Sequence, residues 1–92
     1  MIVSFRDAET EKVFLTGKSR RFGAIAKVAE RRLADIERAR DLQELRFPAG
    51  NRLERLKGDR SGQWSIRVND QFRICFKWGE NGAEGVEIVD YH

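Results

Sequence analysis

The sequence predicts an α+β fold: two N-terminal helices packed on a small, mainly antiparallel sheet of four to five strands. Three observations carry this. Apolar residues recur at helical spacing from Phe22 to Ile36, apolar and polar residues alternate strictly from Trp64 to Trp78 with one short break, and a last β-prone run at 86–89 follows a glycine-rich stretch. The 92 residues supply one two-layer core and not two, so a single domain over residues 1–92 is expected.

Residues 2–5 are β-prone and available to join the sheet. Asp7 is placed to cap a helix through Ala8, Val13, Phe14 and Leu15 that Gly17 stops. A basic connector, Lys18-Ser19-Arg20-Arg21, follows and reads as an exposed loop. In the next helix Phe22, Ile25, Ala26, Ala29, Leu33 and Ile36 form an apolar stripe, with Lys27, Glu30, Arg31, Asp35 and Arg38 opposite. Arg31 with Asp35, and Asp35 with Arg38, stand at ion-pairing spacing on that wet face. A further helical turn at residues 41–45 ends before Phe47-Pro48-Ala49-Gly50-Asn51.

Residues 52–57 read as an imperfect strand, closed by the turn Gly58-Asp59-Arg60-Ser61-Gly62. Trp64, Ile66 and Val68 then face one way and Ser65 and Arg67 the other. After Asn69-Asp70-Gln71, Phe72, Ile74, Phe76 and Trp78 alternate with Arg73, Cys75 and Lys77. A hairpin puts both apolar sets under the helices and leaves Arg67, Arg73 and Lys77 on the other face. Gly79, Gly82 and Gly85 mark a loop before the last strand, which leads into Asp90-Tyr91-His92.

Charge is unevenly spread. The chain carries a formal +3, with 36% charged and 40% hydrophobic residues, a composition suited to a folded, well-solvated domain. Between positions 52 and 77, Arg52, Arg55, Lys57, Arg60, Arg67, Arg73 and Lys77 stand against Glu54, Asp59 and Asp70, so that segment can meet phosphates. Apolar runs fall short of the roughly 20 residues of a membrane span. The opening residues lack a signal-peptide pattern, and a cytoplasmic location with no membrane partner is expected. A lone Cys75 and a lone His92 give no zinc spacing, so neither metal nor cofactor is expected. Cys75 reads as a packed or half-exposed small residue, and the glycines match no phosphate-loop or dinucleotide fingerprint.

What the residues supply is an inventory for RNA phosphodiester cleavage. That reaction needs a base for the 2′-OH, cations for the charge building on the phosphate, and an acid for the leaving 5′-oxygen. His92 has an unperturbed pKa near neutrality, Tyr91 adds a phenol, and Arg73 and Lys57 are candidate charge stabilisers. Strand parity lets Tyr91 point opposite to Asp90, which shares parity with Ile88. Where His92 ends the chain, its α-carboxylate favours the protonated imidazole. Taken singly, each residue has an ordinary structural reading: Lys57 and Arg60 as loop charges, Trp64 as core, Arg73 as a cross-strand partner of Glu87, and His92 as a frayed end.

The stretch Leu56-Lys57-Gly58-Asp59-Arg60-Ser61-Gly62-Gln63-Trp64-Ser65-Ile66-Arg67-Val68, then Phe72-Arg73-Ile74, and finally Asp90-Tyr91-His92 resemble the HigB-type toxins of the RelE/ParE superfamily, the plasmid maintenance killer family. Met1-Ile2-Val3-Ser4-Phe5 resembles that family's opening strand, and the likeness covers nearly the whole chain. The resemblance implies a RelE-like microbial RNase fold and a type II toxin. Such a toxin is a ribosome-dependent mRNA interferase that cleaves mRNA in the ribosomal A site by 2′-OH attack, without a metal, and so inhibits translation.

By similarity, His92 with Tyr91 transfers protons, Arg73 and Lys57 stabilise the phosphate, and Asp90 orients its neighbours. Arg60, Arg67 and Lys77 become candidates for RNA contact. The implied partners are a HigA-type helix-turn-helix antitoxin, the ribosome with its rRNA and mRNA, and operator DNA reached only through the antitoxin. The alternatives are a ParE-like toxin that inhibits DNA gyrase by binding, and an RNA-binding module without catalysis.

Overall fold

A computed structural model describes residues 1–90. The first helix, α1 (Ala8–Thr16), begins where Asp7 leaves extended backbone and accepts from the Thr10 amide at 2.7 Å. It ends where Gly17, at φ +69°, turns its amide back to the Val13 carbonyl. Both caps are those expected from the sequence.

The second helix, α2 (Ala26–Arg38), starts later than the apolar periodicity suggests, because Gly23–Ile25 form a tighter 3₁₀ turn first. Its buried stripe is Ala26, Ala29, Leu33 and Ile36. On the wet face Asp35 pairs with Arg32 at 3.7 Å and with Arg38, so Arg32 rather than Arg31 completes the cluster. A 3₁₀ turn, Leu42–Arg46, takes the place of the short helix expected near 41–45 and is capped by Asp41. Beyond it Asn51 is fully buried and donates from Nδ2 to the carbonyls of Leu45 and Phe47. That side chain ties the proline-containing turn to the body of the protein.

Four antiparallel strands follow in spatial order: β1 (Glu54–Arg55), β2 (Trp64–Arg67), β3 (Phe72–Gly79) and β4 (Gly82–Asp90). β1 is only two residues long, set by Glu54 opposite Ser65 and Arg55 opposite Trp64. The N-terminal segment adds a fifth, irregular strand beside β4, with parallel bridges from Ile2 to Ala83 and from Phe5 to Val86. Among the described residues no helix is long and apolar enough to cross a membrane.

The glycine-rich stretch is not the loop expected from its composition. Gly79 pairs with Gly82 across a two-residue link, so β4 begins at Gly82 and already contains Gly85. Two close approaches explain this. The Gly82 backbone passes the N-terminal segment so closely that an added Cβ would lie 2.2 Å from the Met1 carbonyl oxygen. Gly85, at φ +60°, sits where the β3–β4 register slips between Cys75 and Lys77 and absorbs the extra residue as a bulge.

Ile66, Ile74, Phe76, Val86 and Ile88 pack under Val13, Ala29, Leu33 and Ile36 as one core. The Ile88 amide, at the edge of the sheet, donates to the buried Thr10 hydroxyl at 3.0 Å, which fastens α1 to β4. On the face away from the helices Ser65 and Cys75 are fully buried, so Cys75 takes the packed one of its two expected environments. Arg73 lies on Ser65, and Arg60, Glu87 and Arg73 lie near Cys75.

Candidate active site

Register builds a row of residues on the sheet face away from the helices. Glu54, Ser65, Cys75 and Glu87 stand side by side on neighbouring strands, and directly opposed residues share a face. Arg73, two residues from Cys75 on β3, lies over this row with only 12% of its side chain exposed. Its Nε donates to Ser65 Oγ at 2.7 Å, one Nη donates to the Arg52 carbonyl at 2.7 Å, and the other lies 3.8 Å from Glu54. Arg52 offers that carbonyl from a left-handed conformation, φ +46°, unusual for a residue with a side chain. The sheet thus supplies a guanidinium in one fixed orientation, with a single carboxylate at a loose distance.

The ordinary structural reading paired Arg73 with Glu87. The structure corrects it: β3–β4 register sets Arg73 opposite Val89, and Glu87 goes to Arg60. Arg60 Nη1 lies 2.8 Å from Glu87 Oε1 and 3.1 Å from Gln63 Oε1, and Arg6 Nε lies 3.7 Å from Glu87 Oε2. Arg60 is therefore paired with a carboxylate whose side chain is only 15% exposed, and is not the outlying loop charge its glycine turn suggests. Beneath this group burial pushes the Cys75 thiol above its usual range; Arg60 opposes that rise and Glu87 adds to it.

The remaining candidates are spread around these residues. Lys57 is exposed and extended at the start of the 3₁₀ turn Gly58–Arg60, and its carbonyl accepts from the Arg60 amide at 3.3 Å. Arg67 stands opposite Arg73 in register, and this like-charge juxtaposition is relieved because each takes its own acid. Arg73 leans to Glu54, and Arg67 pairs with Asp70. The hydrogen bond and charge of Arg67 hold the Asp70 carboxyl below its usual range. Lys77 is exposed opposite Glu84, over a depression of about 300 Å³ lined by Ser4, Arg6, Gln63, Lys77, Glu84 and Gly85.

Asp90 is exposed at the end of β4, accepts from Gln71 Nε2 at 3.0 Å, and is register-opposite Phe72. Because the Phe72 ring packs on Phe22 in the core layer, Asp90 leaves the sheet on the helix side, away from Arg73. Tyr91 and His92 lie outside the described residues.

Structure thus brings Arg73 and Arg60 near the same buried residue, Cys75, with Lys57 at the entry of the turn that carries Arg60. Sequence reasoning missed Glu87, Ser65, Gln63, Glu54 and Arg6 as site residues. Parity could have flagged Ser65 and Glu87, which flank the Cys75 position; the approach of Arg6 and Gln63 had no local signal.

Fold and site together define a small two-layer α+β domain with paired arginines and carboxylates on the sheet face opposite its helices. The chain belongs to the HigB-like toxin family: the family model, described as RelE-like toxin of type II toxin-antitoxin system HigB, matches residues 3–92. Toxin HigB-1 of Vibrio cholerae serotype O1 is 34% identical over 93 residues, covering 99% of this chain and 94% of that protein. Endoribonuclease HigB of Proteus vulgaris is 35% identical over 95 residues and covers both chains completely. Among solved structures, a YoeB-YefM complex from Staphylococcus aureus superposes with a TM-score of 0.63 at 20% identity, covering 100% of this chain and 95% of that one, which is a likeness of fold.

Proposed function

We propose that this chain is an endoribonuclease toxin that cleaves mRNA in the ribosomal A site, without a metal, and so inhibits translation. The observation that carries the reading is Arg73, a guanidinium fixed by Ser65 and the Arg52 carbonyl on the sheet face away from the helices and loosely balanced by Glu54. A donor held in place before substrate arrives stabilises charge on a phosphate without reorganising during the reaction. The name of the Proteus vulgaris relative, Endoribonuclease HigB, supports the same chemistry.

In this reading the 2′-OH attacks the adjacent phosphorus and the 5′-oxygen leaves. Arg73 and Lys57 hold the non-bridging oxygens as charge builds, His92 and Tyr91 carry the proton transfers, and Asp90 orients them from the strand end. Arg60, Arg67 and Lys77 bring further positive charge to the RNA backbone. The partner that restrains the toxin is a HigA-type helix-turn-helix antitoxin, which carries the complex to operator DNA. Membership of a type II toxin family supports an antitoxin partner.

Primer extension on mRNA in a translating extract tests the proposal. The expected result is cuts within A-site codons, at a rate that does not depend on adding transition-metal ions to toxin stripped of metal beforehand. Substitution Arg73→Ala or His92→Ala is expected to remove most of the cutting. Intact mRNA together with inhibited gyrase supercoiling would overturn it in favour of a gyrase-binding toxin.

A further inference from the structure

Glu87 is far more enclosed than its neighbour on this face, Glu54, with 15% of its side chain exposed against 56%, and the mechanism above does not use it. It projects from the middle of β4, register-locked opposite the buried Cys75, so its carboxylate is held by the sheet itself. Arg60, by contrast, comes from the 3₁₀ turn Gly58–Arg60, none of whose residues is buried, with Gly58 at φ +64° before it and Gly62 at φ +90° after it. The guanidinium of Arg60 reaches the sheet by crossing to Glu87 at 2.8 Å, braced by Gln63 at 3.1 Å. Arg6, from the N-terminal segment, closes on the other carboxylate oxygen at 3.7 Å.

We propose that Glu87 is a positioning residue for RNA cleavage: its carboxylate fixes the Arg60 guanidinium in the orientation that meets the RNA backbone and tempers the pull of Arg60 and Arg6 on phosphate. The inference rests on the ribonuclease reading. Two consequences of opposite sign follow from removing the charge while keeping the shape. Arg60 loses its charged anchor, so the cleavage step slows. Arg60 and Arg6 lose their counter-charge, so RNA phosphate binds them more readily and binding becomes more sensitive to salt. A residue that merely supported the fold would slow the reaction without steepening the salt dependence.

The experiment compares wild type, Glu87→Gln, Arg60→Ala and the double variant in single-turnover cleavage of the RNA, ribosome-bound or free, that wild type cleaves. Affinity for a 2′-O-methyl RNA oligonucleotide, which cannot be cleaved, is measured in parallel from low to high KCl. The expected result for Glu87→Gln is a roughly 10- to 100-fold slower step, the scale of a misplaced active-site group. Its affinity should hold or tighten at low salt, and the salt slope should grow by about 0.7 for each cation released onto a single strand. In the double variant the Glu87→Gln effect on the cleavage rate should vanish, because a residue acting through Arg60 has nothing left to position, while the smaller rise in salt slope that comes from Arg6 should remain.

Additive rate losses, or an unchanged salt slope, would overturn the inference while leaving the ribonuclease reading intact. Absence of cleavage by wild type on every RNA tried would overturn that reading, and the inference with it. Should Glu87→Gln not fold, Gln63→Ala loosens the same guanidinium from its other side. It is expected to slow cleavage in wild type and to have no effect in Arg60→Ala; additivity there overturns the inference equally.

Discussion

Arg73 donates from Nε to the Oγ of Ser65 at 2.7 Å, a hydrogen bond between adjacent strands that ends on a fully buried hydroxyl. The bond serves both fold and chemistry, so Arg73→Ala should show both losses. Leaving the Ser65 hydroxyl without its donor should cost about 1–3 kcal/mol in denaturant unfolding. Removing a preorganised donor should slow cleavage by about 10²- to 10³-fold in single-turnover assays. Arg73→Lys keeps a cation but lacks the fork that reaches Ser65 and the Arg52 carbonyl together, and is expected to fall between wild type and Arg73→Ala in both measurements.

Lys57 separates the two effects. Its side chain is exposed, so Lys57→Ala should leave stability within about 0.5 kcal/mol of wild type. If it supplies charge to the phosphate, the cleavage rate should fall clearly at unchanged melting temperature. An unaltered rate would remove Lys57 from the site.

Thr10 is the joint between α1 and β4. Thr10→Val preserves shape but leaves the buried Ile88 amide without its acceptor, and about 1–3 kcal/mol of stability should be lost in urea titration. Thr10→Ser keeps the hydroxyl and should recover most of that loss. Equal stability of the Val and Ser variants would show that the hydrogen bond does not hold the edge of β4.

The two β4 glycines should differ sharply. At Gly85 an added Cβ meets nothing within 4 Å, so Gly85→Ala pays only for a left-handed residue, roughly 1–2 kcal/mol. At Gly82, with φ +131°, the Cβ would overlap the Met1 carbonyl oxygen, and Gly82→Ala must push the N-terminal segment off β4. Hydrogen exchange checks this directly. The Val3 amide, bonded to the Ala83 carbonyl at 2.7 Å, should lose protection in Gly82→Ala and keep it in Gly85→Ala.

Cys75 carries the pH prediction. Burial raises the thiol pKa in the folded state, so the native protein holds that proton more tightly than the unfolded chain does. The associated stability is fully present below the ordinary thiol value, about 8.5, and is lost as pH rises beyond it. Wild type should therefore lose stability above about pH 8.5 more steeply than Cys75→Ala, comparing slopes and not absolute values. Iodoacetamide should leave the native thiol unmodified at neutral pH and label it after unfolding in urea.

Several features were legible because they are local. The Asp7 cap, the Gly17 stop, the α2 stripe and the alternation of β2 and β3 each follow from the chemistry of residues within one or two turns or a single strand. Arg73 and Lys57 could be named for the same reason: alternation puts Arg73 on the polar face, and the glycine turn exposes Lys57. The glycines of 79–85 misled, since composition marks a loop while their conformations answer a bulge and the backbone of a segment some eighty residues away.

By itself the sequence determined the α+β class, the order of its helices and strands, and which face of the β2–β3 hairpin carries basic side chains. These depend on backbone preference and side-chain periodicity, which a short window contains. Only the tertiary structure decided that Arg73 binds Ser65 and leans to Glu54, that Asp90 leaves the opposite side of the sheet, and that Arg60 crosses 27 residues of chain to Glu87. Partner choice between charged residues is set by strand register and by how separate segments close over a buried floor. No stretch of sequence holds that information alone, because each carboxylate is within reach of several cations until the sheet fixes which one it meets.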